Sequence, residues 1–317
     1  MTKSSLALTG AFFYALSLCG FVPEARAKYL DTDFSNLRSG RSVATVEPSD
    51  LSPSIHSNEN APALYELGIG LGGGLDPHYP GSDQSRVILL PFPYGVYRGQ
   101  VVQSDRKGTR AKLLQGKDFE LTMSGSGAFP VKSNDDNARM GMEDLGWMLQ
   151  LGPKIRLDLK SWADGSVLRA GVSARAVFSA NDLNSVASRG WVFEPEIVYQ
   201  KPDAFAERFD FFSSLSATFA TANYMDYLYG VRSSDQTPNR SVYNAQPGYL
   251  ESVLQVGASY RTLGGMHKFF LSTQLGSLEG ASNNGSPLVR TKSELTVAVA
   301  WVWTLFESEA RAISSER

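Results

Sequence analysis

Cysteine is almost absent from this chain, because Cys19 is the only one in 317 residues. A fold stapled by disulfides and a zinc site built on thiolates are therefore excluded. Histidine is nearly as scarce, and His56, His78 and His267 lie far apart in the sequence, so we predict no metal site and no other cofactor. The net charge of −2 also removes the basic excess that marks a nucleic-acid-binding protein.

A long apolar run is missing beyond the first 27 residues, whereas a transmembrane helix needs about 20 apolar residues in succession. The one apolar stretch, 6–22, follows Lys3 and precedes Ala25 and Ala27, which occupy the two small positions of an A-x-A cleavage site. We predict that residues 1–27 are a signal peptide cleaved after Ala27, with an uncleaved membrane anchor as the alternative. Export without disulfides is typical of a bacterial envelope protein.

The mature chain divides into three parts that differ in how regularly apolar residues recur. Residues 28–62 are rich in Ser, Asp, Asn and Pro without a sustained period, and we predict a flexible N-terminal segment there. Residues 63–306 alternate between apolar and small or polar positions with a period of 2, as strands do, and 307–317 form a C-terminal tail. The clearest apolar face belongs to the last strand: Leu295, Val297, Val299, Trp301, Trp303 and Leu305.

The pattern predicts twelve strands, at about 64–74, 86–98, 99–105, 109–116, 117–129, 145–160, 165–179, 190–201, 206–221, 248–263, 265–278 and 292–306. Connections after the even-numbered strands are short, and most of those after the odd-numbered strands are long and polar. This parity predicts an all-β fold, a transmembrane antiparallel up-and-down β-barrel with its short turns on the side of the termini. The hairpin at 99–116 alternates poorly, and without it the count is ten. A soluble β-sandwich is the alternative, although its strands would be shorter and its exposed face polar.

A GxGxxG motif at Gly68, Gly70 and Gly73 suggests a nucleotide site, but its context argues against one. Asp76 and Pro77 follow directly, so no helix begins there to bind a phosphate at its N-terminus. Glycines at alternate positions instead predict the lumen-facing side of a strand, where bulk is excluded or backbones approach closely.

Ser82, Asp83 and His78 resemble the components of a hydrolase triad. A serine nucleophile needs an oriented base, and the remaining histidines fall in the flexible segment and in a turn at the opposite end of the predicted barrel. We therefore predict that the protein is not an enzyme, and we keep an envelope lipid hydrolase as the least favoured alternative.

Charges of both signs recur at positions that the alternation places inside the barrel. They are Glu120, Lys154, Arg156, Asp158, Arg169, Arg175, Glu194, Glu196 and Arg261. Charges inside a barrel are stable only if they are paired or in water. The pattern favours an ion-pair network that braces the wall, with a narrow selective pore as the alternative.

Three stretches resemble the MipA/OmpV family. The first, "DPHYPGSDQSRVILLPFPYGVYRG", carries the family's Pro-x-Tyr-x-Gly-Ser-Asp, Pro-x-Pro and Tyr-x-Gly patterns at Pro77, Tyr79, Gly81, Ser82, Asp83, Pro91, Pro93, Tyr97 and Gly99. The second, "MDYLYGVRSSD", is similar to the family's Tyr-Tyr-Gly-Val segment at Tyr227, Tyr229, Gly230 and Val231. The third is "GYLESVLQVGASYRTLGG" followed by "SPLVRTKSE", similar to the family's penultimate hairpin and last loop.

The resemblance implies an even-stranded, non-enzymatic barrel in the bacterial outer membrane. The member that names the family is regarded as a scaffold joining a lytic transglycosylase, MltA, to a bifunctional peptidoglycan synthase, and other members are linked to adhesion, osmotic response or antibiotic uptake. The partners implied are outer-membrane lipids, a lytic transglycosylase and a peptidoglycan synthase. A narrow channel, an osmotic-response porin or an adhesion protein is the alternative. Within this frame "DPHYPGSD" is the first external loop, and the next strand is expected to turn four side chains toward lipid: Ile88, Leu90, Phe92 and Tyr94.

Overall fold

The structure is a computed structural model, and it describes residues 63–98, 102–105, 108–115, 119–181 and 185–309. The strands are β1 (Tyr65–Pro77), β2 (Ser85–Arg98), β3 (Val102–Asp105), β4 (Gly108–Gln115), β5 (Phe119–Ala128), β6 (Trp147–Ser161), β7 (Val167–Ala180), β8 (Ala187–Lys201), β9 (Phe209–Ala220), β10 (Gly248–Arg261), β11 (His267–Ser277) and β12 (Ser293–Glu307). One α-helix, α1 (Ala222–Tyr229), and two 3-10 turns, Ser133–Asp135 and Ser233–Asp235, lie in the described loops. None of the described helices is long and apolar enough to cross a membrane.

The strands form one closed antiparallel barrel, in which each strand pairs with its neighbours in sequence and β12 returns to β1. At that seam Leu71 lies opposite Trp301. The prediction of an antiparallel up-and-down barrel is confirmed, and the observed strand ends lie within three residues of the predicted ones. The poorly alternating hairpin forms the two shortest strands, β3 and β4, with 4 and 8 residues.

Alternation sends one face of each strand outward and the other into the barrel. In β12, Val299 and Trp301 are 51% and 39% exposed, whereas the alternate residues Ala300 and Val302 are buried. The outward side chains of this strand are apolar from Leu295 to Leu305, as a surface in contact with lipid must be.

The short connections close at the end that holds both termini of the barrel, and their sequences suit tight turns. Gly165, in the β6–β7 turn, has a φ of +82°, a region that glycine enters without strain. In the same turn the hydroxyl and N–H of Ser166 donate to Asp164 and lower the pKa of its carboxyl to about 2.

The predicted orientation of β2 is wrong, because Ile88, Leu90, Phe92 and Tyr94 point into the barrel. Phe92 and Tyr94 are only 5% and 7% exposed, and the outward positions belong to the alternate residues, such as Val87, which is 81% exposed. The segment "VILLPFPY" is apolar on both faces, so its period of 2 does not say which face is inside.

The glycines of β1 explain why β2 turns this way. Gly70 lies opposite Phe92 in the register, and a Cβ at Gly70 would overlap the Phe92 ring. A Cβ at Gly72 would lie 3.1 Å from the same ring, and one at Gly68 would meet the Trp303 backbone. Gly70 and Gly72 therefore make room for a large inward aromatic side chain, and Gly68 allows the backbone of β12 to approach closely, in agreement with the expectation for these positions.

Candidate functional site

The loops at the end away from the termini fold together over the mouth of the barrel. We call this assembly the cap, and it consists of residues 78–84, 129–146, 221–247 and 278–292. Its loops and the adjoining strand ends share one apolar core: Tyr79, Val131, Leu145, Val177, Val192, Ala220, Tyr224, Met225, Leu228, Tyr229, Val231, Leu250 and Leu288. Because these residues come from opposite sides of the sheet, the core extends across the mouth.

Helix α1 supplies the centre of the cap. Tyr224, Met225, Leu228 and Tyr229 are all buried, a spacing that places them on one face of the helix. Burying each side chain contributes on the order of 2 kcal/mol, so the helix is held by its packing rather than by its eight-residue length. The helix ends at Tyr229, and the N–H of the next residue, Gly230, donates to the Asp226 carbonyl oxygen at 2.8 Å.

Two tyrosines of the family motifs join loops that are distant in sequence. The Tyr79 hydroxyl donates to the Leu288 carbonyl at 2.9 Å, and the Tyr229 hydroxyl donates to the Pro80 carbonyl at 2.8 Å. Burial raises the pKa of both phenols well above the usual range, and nearby carboxylates raise it further, so both stay neutral and keep their donor protons. These bonds attach the β11–β12 loop and α1 to the first external loop.

Tyr227 of α1, which is partly buried against the same core, makes a further link. Its hydroxyl accepts the N–H of Gly146 at 2.8 Å, just before β6 begins. The guanidinium of Arg189 on β8 lies 3.9 Å from the centre of the Tyr227 ring, a cation–π distance. Tyr79, Tyr227 and Tyr229 thus all join separate segments at this end of the barrel.

The polar centre of the cap is Asp136, which is fully buried. One of its carboxylate oxygens accepts the Ser82 hydroxyl at 2.7 Å and lies 3.0 Å from Nδ1 of His78. Its other oxygen accepts the backbone N–H groups of Ala138 at 3.0 Å and Arg139 at 3.3 Å. Sequence reasoning missed Asp136 because it lies 54 residues after Ser82, in a loop without a recognisable motif.

This arrangement is not that of a catalytic triad. Ser82 and His78 each contact Asp136 separately, whereas a triad needs the serine bonded to the histidine and the histidine to the acid. Ser82 is 3% exposed. Asp83, the acid suggested by the sequence, lies instead at the surface, 3.9 Å from Arg290.

The other motif residues shape the backbone. Gly81 has a φ of +92°, and its N–H donates to the Glu294 carboxylate. Pro77 is the last residue of β1, and Pro91 and Pro93 lie on the outward face of β2. The backbone of Tyr97 pairs with Tyr65 in the β1–β2 hairpin.

One motif position, Gly99, lies outside the described residues. Among the described residues, no group of three His, Cys, Asp or Glu side chains is placed to hold a metal ion.

The charged positions predicted inside the barrel mostly meet as ion pairs. The pairs are Lys154–Glu196 at 2.6 Å, Arg175–Glu194 at 2.7 Å, Arg169–Asp158 at 2.6 Å and Arg261–Asp210 at 3.7 Å. Glu120 and Arg156 lie opposite each other in the register of β5 and β6. These contacts join β5 to β8 along the inner wall and link β9 to β10.

Neutral groups complete this wall. Arg175 also donates to Gln150 at 3.0 Å and to the Ser173 hydroxyl at 2.7 Å, and Arg169 donates to Gln200 at 2.6 Å. A bidentate or branched guanidinium contact of this kind fixes the side chain as well as its charge.

A buried pair on the opposite wall was not predicted. Glu66 on β1 forms an ion pair with Lys268 on β11, and the Lys268 ammonium also donates to the Tyr94 hydroxyl at 3.1 Å. Glu66 stands alone among leucines and glycines in the sequence, and its partner lies 202 residues away. Only the closure of the barrel brings the two together.

A closed antiparallel barrel with an apolar exterior, a paired polar interior and its termini at the short-turn end defines a bacterial outer-membrane β-barrel protein. The chain belongs to the MipA family: the family model described as "MltA-interacting protein MipA" matches residues 69–305.

Among solved structures, the chain is similar to the NanC porin, with 11% identity and a TM-score of 0.36 over 75% of this chain and 100% of that one. It is also similar to the outer membrane protein OprG from Pseudomonas aeruginosa, with 12% identity and a TM-score of 0.21 over 77% of this chain and 94% of that one. No protein with a curated description matches the chain in sequence.

Proposed function

We propose that this protein is a non-enzymatic scaffold, anchored in the outer membrane, that holds a lytic transglycosylase and a peptidoglycan synthase at its periplasmic end. The observation that carries the proposal is the packed cap, which covers the mouth away from the termini. The short-turn end then remains as the face on which periplasmic proteins dock. The family is described as that of the MltA-interacting protein, and this description suggests the class of the first partner.

The environment of Ser82 supports a role without catalysis. Its hydroxyl is committed to Asp136 at 2.7 Å, and the Gln84 N–H donates back to it at 3.1 Å. We expect Ser82→Ala to leave any lipid-hydrolysing activity of the purified protein unchanged. A loss of hydrolysis in this variant would support the lipid hydrolase instead.

The scaffold is tested by capturing the tagged full-length protein from detergent-solubilised envelope and identifying its partners by mass spectrometry. We expect a lytic transglycosylase and a peptidoglycan synthase to be recovered together. Recovery of neither enzyme, from a protein that is shown to be folded, would contradict the proposal.

Matched variants at the two ends of the barrel locate the docking face. Leu263, in the β10–β11 turn, and Phe205, in the β8–β9 turn, are each 79% exposed, and Met140, in the cap, is 54% exposed. We expect Leu263→Ser and Phe205→Ser to reduce recovery of the partners, and Met140→Ser to leave it unchanged. The reverse result would place docking on the cap.

A narrow channel or osmotic-response porin is the second candidate, and the polar inner wall favours it. Lys154 and Glu196, for example, present a charged pair to the lumen at 2.6 Å. Planar-bilayer recordings test it directly: discrete conductance steps would support a channel, and their absence is expected for the scaffold.

An adhesion role would require the cap surface to bind host or matrix components, and loss of cell attachment in Met140→Ser would support it.

A further inference from the structure

Two glutamate side chains converge inside the barrel, directly beneath the cap. Glu251 extends from β10 and Glu294 from β12, and Gly276 of β11 lies between them. A Cβ placed on Gly276 would be 3.5 Å from Oε2 of Glu251 and 3.5 Å from Oε2 of Glu294. The missing side chain of Gly276 thus allows the two carboxylates to share one space.

The pair is coupled mechanically to the cap. Glu294 accepts the N–H of Gly81, in the first external loop, so that loop and the strand wall meet at this carboxylate. Tyr224 and Tyr229 of α1 lie close enough to Glu251 for its charge to act on both phenols. The first loop and α1 therefore both lie next to the pair.

Among the described residues, no lysine, arginine or histidine forms an ion pair with Glu251 or Glu294. Arg175, whose charge acts on Tyr224, is itself paired with Glu194 at 2.7 Å.

The remaining neighbours of the pair are themselves acidic or neutral. The charge of Glu194 on β8 acts on Glu251, and the charge of Asp76 on β1 acts on Glu294. Asp76 has its own partner, Arg86, at 3.6 Å. The surroundings therefore add negative charge to the pair more than they remove it.

Glu251 and Glu294 are both partly buried. Two carboxylates that share one confined space repel each other when both are ionised, so such a pair tends to retain a proton. Opening the cap admits water, which screens the repulsion and lets both groups ionise. The closed form therefore binds more protons than the open form, and by linkage a rise in pH favours opening.

We propose that the Glu251–Glu294 pair makes closure of the cap pH-dependent, with the cap tightest in mild acid and loosened as the pH rises. The device acts at the external end of the barrel and does not depend on the scaffold role. It gives the protein a means of exposing the lumen and the inner surfaces of its loops in response to the medium.

Hydrogen exchange on the full-length protein in lipid nanodiscs tests the proposal. Protection factors for the α1 amides, corrected for intrinsic exchange rates, are compared at about pH 5 and about pH 8. Because opening releases about one proton, we expect the protection factors to be about tenfold or more lower at the higher pH. Equal protection at both pH values would overturn the proposal.

Two variants make the test specific. Glu251→Gln keeps the shape of the side chain and removes the repulsion, so its protection is expected to be the same at both pH values. Glu279→Gln, at an exposed loop carboxylate paired with Lys292, is the control and is expected to keep the wild-type decrease. Gel mobility of unheated samples establishes that each barrel is folded. An undiminished pH dependence in folded Glu251→Gln would refute the role of the pair.

Discussion

Gly70→Ala is expected to destabilise the barrel, because the added methyl group would enter the space of the Phe92 ring. The ring is 5% exposed and packed among Tyr94, Val96 and Ala300, so it has little freedom to move aside. Overpacking of this kind costs about 1–3 kcal/mol. Replacing glycine also lowers the conformational entropy of the unfolded chain, which stabilises the folded state by about 0.4–1 kcal/mol. We therefore expect the free energy of unfolding to fall by about 1–2 kcal/mol.

The assay is reversible urea unfolding of the full-length protein in lipid vesicles, followed by tryptophan fluorescence. Gly95→Ala is the matched control in the same hairpin, since a Cβ there meets only Leu67 Cδ2, at an ordinary 3.6 Å. We expect this control to be as stable as the wild type or slightly more stable.

A double-mutant cycle with Phe92→Ala isolates the contact. Phe92→Ala alone costs about 3–5 kcal/mol through the cavity it leaves. In that background the methyl group of Gly70→Ala has room, so its cost should vanish, with a coupling energy of about 1–3 kcal/mol. The reasoning is refuted if Gly70→Ala costs as much without the ring as with it.

Three further outcomes are expected from the cap, the wall and the closure. Asp136→Ala leaves the Ser82 hydroxyl and two backbone N–H donors without an acceptor, which we expect to destabilise the cap by about 3 kcal/mol. Limited proteolysis should then cut the cap loops faster while the barrel stays folded. Unchanged cleavage would contradict the central role of Asp136. Lys154→Met leaves Glu196 charged and unpaired, and we expect the free energy of unfolding in urea to fall by about 3–5 kcal/mol. Adding Glu196→Leu to the same chain should largely restore the stability. A double variant as unstable as the single one would count against the pair. Unheated protein should migrate faster on SDS gels than boiled protein, and equal mobility would argue against a closed barrel.

The strands could be predicted from the sequence because burial of one face repeats every second residue, and β12 shows this from Leu295 to Leu305. The same rule failed for the orientation of β2, where both faces are apolar. The decisive signal was on another strand, in the glycines opposite Phe92 that admit a ring on the inside. Which face of an apolar strand is buried is thus a property of the pair of strands, not of either alone.

The cap could not be predicted from the sequence, because its contacts join loops with no shared local pattern. Tyr79 and Leu288 lie 209 residues apart, and the Ser82–Asp136 bond joins two different loops. The family motifs did mark Tyr79, Ser82 and Tyr229, but they gave no partner for them. The ion pairs of the inner wall were easier to predict, because they connect strands that are adjacent in sequence or, for Lys154 and Glu196, separated by a single strand.

The seam between β1 and β12 has a consequence for how the chain folds. Tyr65 and Ser308 exchange backbone and side-chain hydrogen bonds at 2.9–3.1 Å, and the Tyr65 ring stacks on Phe306 at 5.7 Å. Contacts at this separation make folding slow, because a loop of nearly the whole domain must close before they form. Until then both edge strands carry unpaired N–H and C=O groups that lipid cannot satisfy. Insertion and closure are therefore expected to occur as one concerted event, with the final strand as the piece that completes it.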